Sequence, residues 1–212
     1  DLTNLAVGMP NVALDDVGTA KGTANFSIRG MGINSSIPSI DPTVGLFLNG
    51  VYLGLNFGVV FDMFDMESVE VLRGPQGTLF GRNVTGGAVL LSTKKPGDEL
   101  EATLRAAVDS GEDGGLNKYY MGAIGGPLSD TLGARIVAYV NDDDGQFEND
   151  FTGEDQGEIE QMMVRGTLAW AVSDQAELTL RYEYNETDGD GPAVQSHTNG
   201  SGLPGTPINN DR

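Results

Sequence analysis

Near its C-terminal end the chain alternates apolar and polar side chains with a period of two. Ala176, Leu178, Leu180, Tyr182 and Tyr184 are interleaved with Glu177, Thr179, Arg181, Glu183 and Asn185. Successive strand residues point to opposite faces of a sheet, so this pattern predicts a strand with one apolar and one polar face. A less clean version runs through Val164, Gly166, Leu168 and Trp170 against Arg165 and Thr167. It recurs in Leu132, Ala134, Ile136, Ala138 and Val140, with Arg135 opposite, and residues 101–109 and 117–126 are earlier candidates. A soluble antiparallel sheet also alternates. Length carries more information, because about 9–11 residues is what a tilted membrane-crossing strand needs.

The connections between these strands sort by size. The turns at 126–130 and 173–175 are tight, whereas 142–160 is a long acidic stretch and the last strand runs into the polar segment 188–212. Short turns alternating with long loops is the pattern of an outer-membrane barrel, with the short turns periplasmic. Strand parity then puts 110–117, 142–160 and 188–212 outside. Five strands cannot close a barrel, which needs at least eight and leaves no edge in lipid. The chain is therefore expected to be a fragment that stops inside its third outer loop.

Residues 1–97 read differently. Asp1 or Thr3 can cap a short helical turn through Leu5, ended by Gly8 and Pro10. Residues 25–29 form a strand turned by Gly30 and Gly32. Val44–Leu48, then Asn49-Gly50, then Val51–Leu53 predicts a hairpin, since Asn-Gly favours the type I′ turn that matches strand twist. Residues 61–67 are expected as a short helix feeding a strand at 68–73. Gly74-Pro75 stops that strand, Gly77, Gly81, Gly86 and Gly87 permit unusual backbone angles, and 88–93 is a second strand. About 100 residues can hold one modest core.

Charge divides the chain at the same place. Residues 1–97 carry 8 acidic and 6 basic side chains, a net of −2, and residues 98–212 carry 23 and 6, a net of −17. The shift follows Pro96-Gly97, so two domains are expected, 1–97 and 98–212. The acidic balance argues against a nucleic-acid partner. The absence of cysteine fits an exported protein without disulfides. No run approaches the ~18 apolar residues of a membrane helix. Asp1 is preceded by no charged and apolar leader, so any signal peptide is expected to have been removed.

The glycine-punctuated segment 67–95, ESVEVLRGPQGTLFGRNVTGGAVLLSTKK, lacks the spacing of a phosphate loop, because Gly81 is followed by Arg82 and Asn83. It also lacks a dinucleotide fingerprint, and a plain β-turn is the alternative. This segment closely resembles the plug-domain signature of TonB-dependent outer-membrane receptors. FSIRGMG (26–32) and VGLFLNGVYLG (44–54) precede it in the family's order and approximate spacing, so the resemblance covers most of residues 1–97. It implies a mixed α/β plug domain followed by the first ~5 antiparallel strands of a transmembrane β-barrel, 22-stranded with a plugged lumen in such transporters. It also implies a TonB box upstream of the plug.

Function follows from the resemblance as an expectation. Such a protein is no enzyme and needs no cofactor. It carries a scarce nutrient across the outer membrane, a ferric siderophore first, with carbohydrate, cobalamin or another metal chelate as alternatives. Its partners are TonB with the energising complex of the inner membrane, the ligand and outer-membrane lipid. Arg73 and Arg82 match the family's LRGP and GR arginines, which implies that they lock plug to barrel through carboxylates on late strands; surface charge near turns is the other reading. Ligand contact is implied at the plug apices, namely Arg29, Asn34, Tyr52, Asn56, Phe57, Phe61 and Phe64. Aromatic and amide groups there suit an organic chelate, while Phe57, Phe61 and Phe64 can equally be plug core.

Other features point less far. DDDG (142–145) and DGDG (188–191) suggest calcium, but neither completes the twelve-residue loop, with Val140 and His197 standing at ligand positions. His197 lies in a Gly/Ser/Asn-rich stretch unsuited to proton transfer. Ser35 and Ser36 have no histidine-acid pattern beside them. The face occupied by Trp170, Tyr182 and Tyr184 makes lipid contact the better reading for them. A passive or structural barrel, or a soluble adhesive β-protein, is the competing class. The first would lack the plug motifs and the second would show no apolar face of lipid length.

Overall fold

The computed structural model describes residues 9–16, 24–32, 40–54, 64–110, 115–145, 147–148 and 155–189. Strands β1 (Val12–Asp16) and β2 (Ala24–Ile28) pair antiparallel. Strands β3 (Val44–Leu48), β4 (Val51–Leu53), β5 (Met66–Arg73) and β6 (Gly87–Thr93) form a second sheet in the order β4-β3-β6-β5. Its β3–β6 pair is parallel and the other two are antiparallel. The helix α1 (Gly77–Phe80) lies in the connection from β5 to β6. The helical turn expected near Leu5 falls outside the described residues.

Asn49 and Gly50 both have positive φ, 52° and 83°, as a type I′ hairpin requires. The turn also secures the end of β6, since Asn49 Oδ1 accepts from the Thr93 backbone N at 3.0 Å and from its hydroxyl at 3.1 Å. Strand β6 is covered on both faces, which is why its sequence is a continuous apolar run. On one face Val89 and Leu91 pack with Ile28, Val44 and Leu46. On the other, Ala88 packs with Phe47 and Val84. Gly87 sits where the layers meet; a Cβ there would stand 2.3 Å from the Leu72 carbonyl oxygen and 2.6 Å from Ile28 Cδ1.

The glycine-rich stretch between β5 and β6 is an excursion closed by its own main chain. Gly74 N donates to Gly86 O and Gln76 N to Val84 O, each at 3.0 Å. The excursion returns Val84 to the core and lays Phe80 on Phe47 at 4.8 Å between ring centroids. Residues 64–67 are not the expected helix. Asp65 adopts a left-handed φ of 54° and Met66 already opens β5. A left-handed residue cannot continue a right-handed helix, so Phe64 and Met66 obey strand alternation rather than helical spacing.

Strands β7 (Glu101–Ser110), β8 (Leu116–Pro127) and β9 (Leu132–Asp143) begin an antiparallel meander. After the short pair β10 (Phe147–Glu148) and β11 (Asp155–Gln156), it continues with β12 (Ile159–Ser173) and β13 (Ala176–Gly189). The strand order is β13-β12-β9-β8-β7. These strands extend past their expected ends, so the first residues of the acidic 142–160 stretch and its last two belong to β9 and β12.

The apolar parity of every long strand is exposed. Tyr120, Ile124, Ile136, Val140, Val164, Leu168, Trp170, Leu178, Leu180, Tyr182 and Tyr184 all stand on one face, uncovered by protein. A patch of that extent is stable only against an apolar medium. On β12 it runs from Met162 to Val172, about 33 Å of strand at ~3.3 Å per residue. A tilt of about 40° makes this a band roughly 25 Å high, the height of the lipid-facing girdle of an outer-membrane barrel. Lys118, Asp142, Glu160 and Asp188 share the row that ends it, and Lys118 Nζ lies 3.6 Å from Asp142. Ile136→Arg, near the band's middle, is expected to cost the full-length protein about 2–4 kcal/mol of folding free energy in lipid. Denaturant titration in vesicles measures this, and a loss below about 0.5 kcal/mol would remove the assignment of that face to lipid.

Candidate functional site

The opposite face of the meander is covered along β8, β9 and β12. Met121, Ala123, Arg135, Val137, Tyr139, Met163, Arg165 and Thr167 are buried there. Part of the cover comes from two residues just ahead of β5. Phe64, 5% exposed, joins the apolar cluster of Met121, Val137, Tyr139 and Met163. Its ring stacks on Tyr139 with centroids 4.8 Å apart and planes 6° from parallel. The Arg165 guanidinium lies 5.4 Å from the Phe64 centroid, within cation–π range.

Asp65 and Arg135 form the buried centre of this contact. Arg135 Nε donates to Asp65 Oδ2 at 2.8 Å and Nη2 donates to Oδ1. This is a bidentate pair, the geometry in which a guanidinium holds a carboxylate most firmly. Their side chains are 4% and 2% exposed. The left-handed turn at Asp65 aims its carboxylate at the wall, while its carbonyl accepts from Lys94 N at 3.0 Å. Arg135 Nη1 also lies 3.6 Å from Glu101 Oε2. One strand further, Arg165 Nε donates to Glu183 Oε2 at 2.6 Å. Lys95, just beyond β6, meets Glu177 on β13 at 2.6 Å in an exposed pair.

The expected site residues are placed as follows. Arg29 is exposed at a turn with φ 54°, and its backbone N donates to Asn11 O at 2.8 Å. Tyr52 is half-buried against Phe47, and its hydroxyl accepts from Asn83 Nδ2 at 3.0 Å. Phe64 is on the wall, apart from Tyr52's cluster. Asn34, Asn56, Phe57 and Phe61, with Ser35, Ser36 and His197, lie outside the described residues. Arg73 and Arg82 are exposed and meet no carboxylate among the described residues. Within 142–145, Asp143 Oδ1 accepts from Gly145 N at 3.1 Å, an Asx turn.

The contact through Asp65 and Arg135 was not anticipated from sequence. Arg135 interrupts the inward face of a strand otherwise lined there by Gly133, Val137 and Tyr139, which was the available signal. At this contact the wall supplies the arginine, and the residue just ahead of β5 supplies the acid.

Residues 1–88 match the family described as TonB-dependent Receptor Plug Domain. The pesticin receptor of Yersinia pestis is 33% identical over 133 residues, 62% of this chain and 19% of that protein. The ferrioxamine B receptor of Salmonella typhimurium is 30% identical over 155 residues, covering 69% and 18%. Among solved structures, the ferric yersiniabactin uptake receptor FyuA from Yersinia pestis superposes with a TM-score of 0.69 and 26% identity over 89% of this chain and 29% of that one. The siderophore receptor PirA from Acinetobacter baumannii matches in fold, with a TM-score of 0.67 at 21% identity over 88% and 29%. The chain thus spans about a fifth of the length of the curated relatives it matches.

Phe64→Ala removes a buried ring from the seam between small sheet and wall. It is expected to cost the full-length protein roughly 3–5 kcal/mol. Denaturant unfolding followed by Tyr and Trp fluorescence reads this, and a loss below about 1 kcal/mol would show that the seam does not depend on the stack.

Proposed function

We propose that this chain carries the plug and first barrel strands of a TonB-dependent outer-membrane receptor, and that the whole protein takes up a ferric siderophore by active transport. The observation that carries the reading is the covered wall. A passive pore keeps its inner face open to water, whereas here a folded domain is seated on that face through Phe64 and Asp65. Cargo passes only if that domain shifts. The outer membrane has no ATP, so the energy comes from a partner, TonB with its inner-membrane complex drawing on the proton gradient.

Ligand contact is assigned to Arg29, Asn34, Tyr52, Asn56, Phe57 and Phe61, which the family resemblance implies stand at the plug apices. Phe64 is left out, because its ring is spent on Tyr139. Relatives named as receptors for ferrioxamine B and ferric enterobactin support an iron chelate as cargo. Charge narrows the class. The stretch 142–160 holds no basic residue and is rich in Asp and Glu. A field of that sign slows a polyanionic chelate and favours a neutral or cationic one. Arg73 and Arg82 are assigned to locking the plug against carboxylates on later strands.

Two experiments test this. Full-length receptor in cells lacking other siderophore receptors is offered radio-iron as ferrioxamine B, ferric yersiniabactin or ferric enterobactin. Uptake of at least one, abolished by a protonophore, is expected, with ferric enterobactin the poorest. Energy-independent uptake would refute active transport, and energised uptake of cobalamin or carbohydrate alone would refute the chelate. In the second, an Arg73→Ala/Arg82→Ala receptor is expected to admit large antibiotics at several-fold lower external concentration. Unchanged antibiotic entry counts against the lock.

A further inference from the structure

The excursion between β5 and β6 meets strand β4 at a polar contact. Asn83 Nδ2 donates to the Tyr52 hydroxyl at 3.0 Å. Both partners are held by their own surroundings. The Tyr52 ring lies 5.3 Å from Phe47, its partner in the β3–β4 register, and Phe47 in turn meets Phe80 of α1. Asn83 stands in the left-handed region with φ 66°. Val84, next in the chain, is 1% exposed in the core, and its carbonyl accepts from Gln76 N. Gly45 leaves room for this return, since a Cβ there would stand 2.6 Å from Val84 Cγ1 and 3.4 Å from the Asn83 carbonyl oxygen. The amide therefore cannot leave the phenol without disturbing the core.

The direction of this hydrogen bond carries the inference. A phenol has one proton to donate and acceptor capacity besides. The amide nitrogen takes up acceptor capacity, so the Tyr52 proton is left over and turns away from Asn83. No acceptor for it is found among the described residues. Tyr52 is half-buried, and β4 is the edge of its sheet, with no strand beyond it among the described residues.

We propose that Asn83 is a positioning residue that makes the Tyr52 phenol a hydrogen-bond donor, so that this position selects a cargo offering an acceptor oxygen, the carbonyl or deprotonated oxygen of a chelating group. An ammonium group or a hydrated metal ion presents only donors there and gains nothing. The proposal rests on the reading of Tyr52 as a ligand contact.

Two substitutions at position 83 separate this role from a structural clasp. Aspartate tolerates a left-handed backbone as asparagine does, and its carboxylate only accepts. In Asn83→Asp the phenol must donate to residue 83, which withdraws its proton from the cargo. Glycine is at ease with the same backbone, and Asn83→Gly removes the bond while leaving the proton free. A mere clasp ranks the two the other way, because aspartate keeps a tie between excursion and β4 and glycine keeps none.

Equilibrium binding of ferrioxamine B to the purified full-length receptor in detergent, read by fluorescence quenching, tests this. The probe carries a protonated amine, so an added carboxylate does not weaken its binding by charge repulsion. Asn83→Asp and Tyr52→Phe are each expected to bind about tenfold more weakly, their double variant no weaker than either, and Asn83→Gly about threefold more weakly at most. Asn83→Asp binding as tightly as the unaltered receptor, or more tightly than Asn83→Gly, would overturn the positioning role. If Asn83→Asp does not fold, the cycle of Asn83→Gly, Tyr52→Phe and their double decides, with coupled losses supporting the role and additive ones overturning it. Loss in none of the variants removes Tyr52 from the cargo site and the proposal with it. An unaltered receptor that binds none of ferrioxamine B, ferric yersiniabactin and ferric enterobactin strikes the chelate reading and this proposal together, a result distinct from any ranking of the variants.

Discussion

A strand has two faces and no freedom to choose which residues share them, and everything distinctive about this chain follows from putting lipid on one face. With every second residue committed to an apolar medium, the intervening residues must fill or line the interior. Because side chains alternate along a strand, Ile136 and Val140 point outward on β9 and Arg135, Val137 and Tyr139 point inward whatever their polarity. The rows run across strands in register: Gly125, Arg135, Thr167 and Arg181 align, as do Ala123, Val137, Arg165 and Glu183. An inner wall so built is a mixed surface of small, apolar and charged groups. Its occupant must match it row by row.

That matching explains why the buried charges are tolerable. A guanidinium taken out of water without a partner costs several kcal/mol, and the attraction of a partner offsets this only when the geometry is good. Asp65 meets Arg135 with both oxygens, and Arg165 has Glu183 beside it and an aromatic face above it. The backbone cooperates. A left-handed residue at 65 turns the carboxylate out of the small sheet, while the next residue starts a strand whose own side chains are spent on that sheet's core. Loss of either residue would leave the other buried alone, which makes the pair a stronger determinant of position than its net contribution to stability suggests.

Sequence revealed those features that rest on local chemistry. Asn49-Gly50 could only be a tight hairpin, and the alternation of 176–185 could only be a two-faced strand. The strand at 88–93 was recognisable from its apolar run, which the structure explains by covering β6 on both faces. What stayed hidden depends on meetings between distant residues. Phe64 and Met66 fit a helix or a strand equally well as apolar positions; burial of Phe64 beside Tyr139, far along the chain, decided between them. The short helix at Gly77–Phe80 has no side-chain cap. Gly77 and Thr78 also have weak helix propensity, so its surroundings hold it and nothing local announces it. Arg135 was visible as an inward charge, but no spacing rule joins it to Asp65.

The two contacts that hold the hairpin's feet are unequal, and the inequality decides which one sets its place. The side chains of Lys95 and Glu177 are half exposed, at 47% and 51%. Water competes for both, and such an exposed pair adds little to stability. It can break and re-form without moving anything else. Asp65 and Arg135 cannot, since separating them either floods a closed seam or strands two charges in it. The glycine-rich excursion between the feet has no comparable hold on the wall among the described residues, being closed on itself by Gly74–Gly86 and Gln76–Val84 hydrogen bonds. It can therefore be rigid internally and still move with the hairpin as one body. Position is fixed at one buried point, and the rest of the signature segment is built to keep its own shape around it.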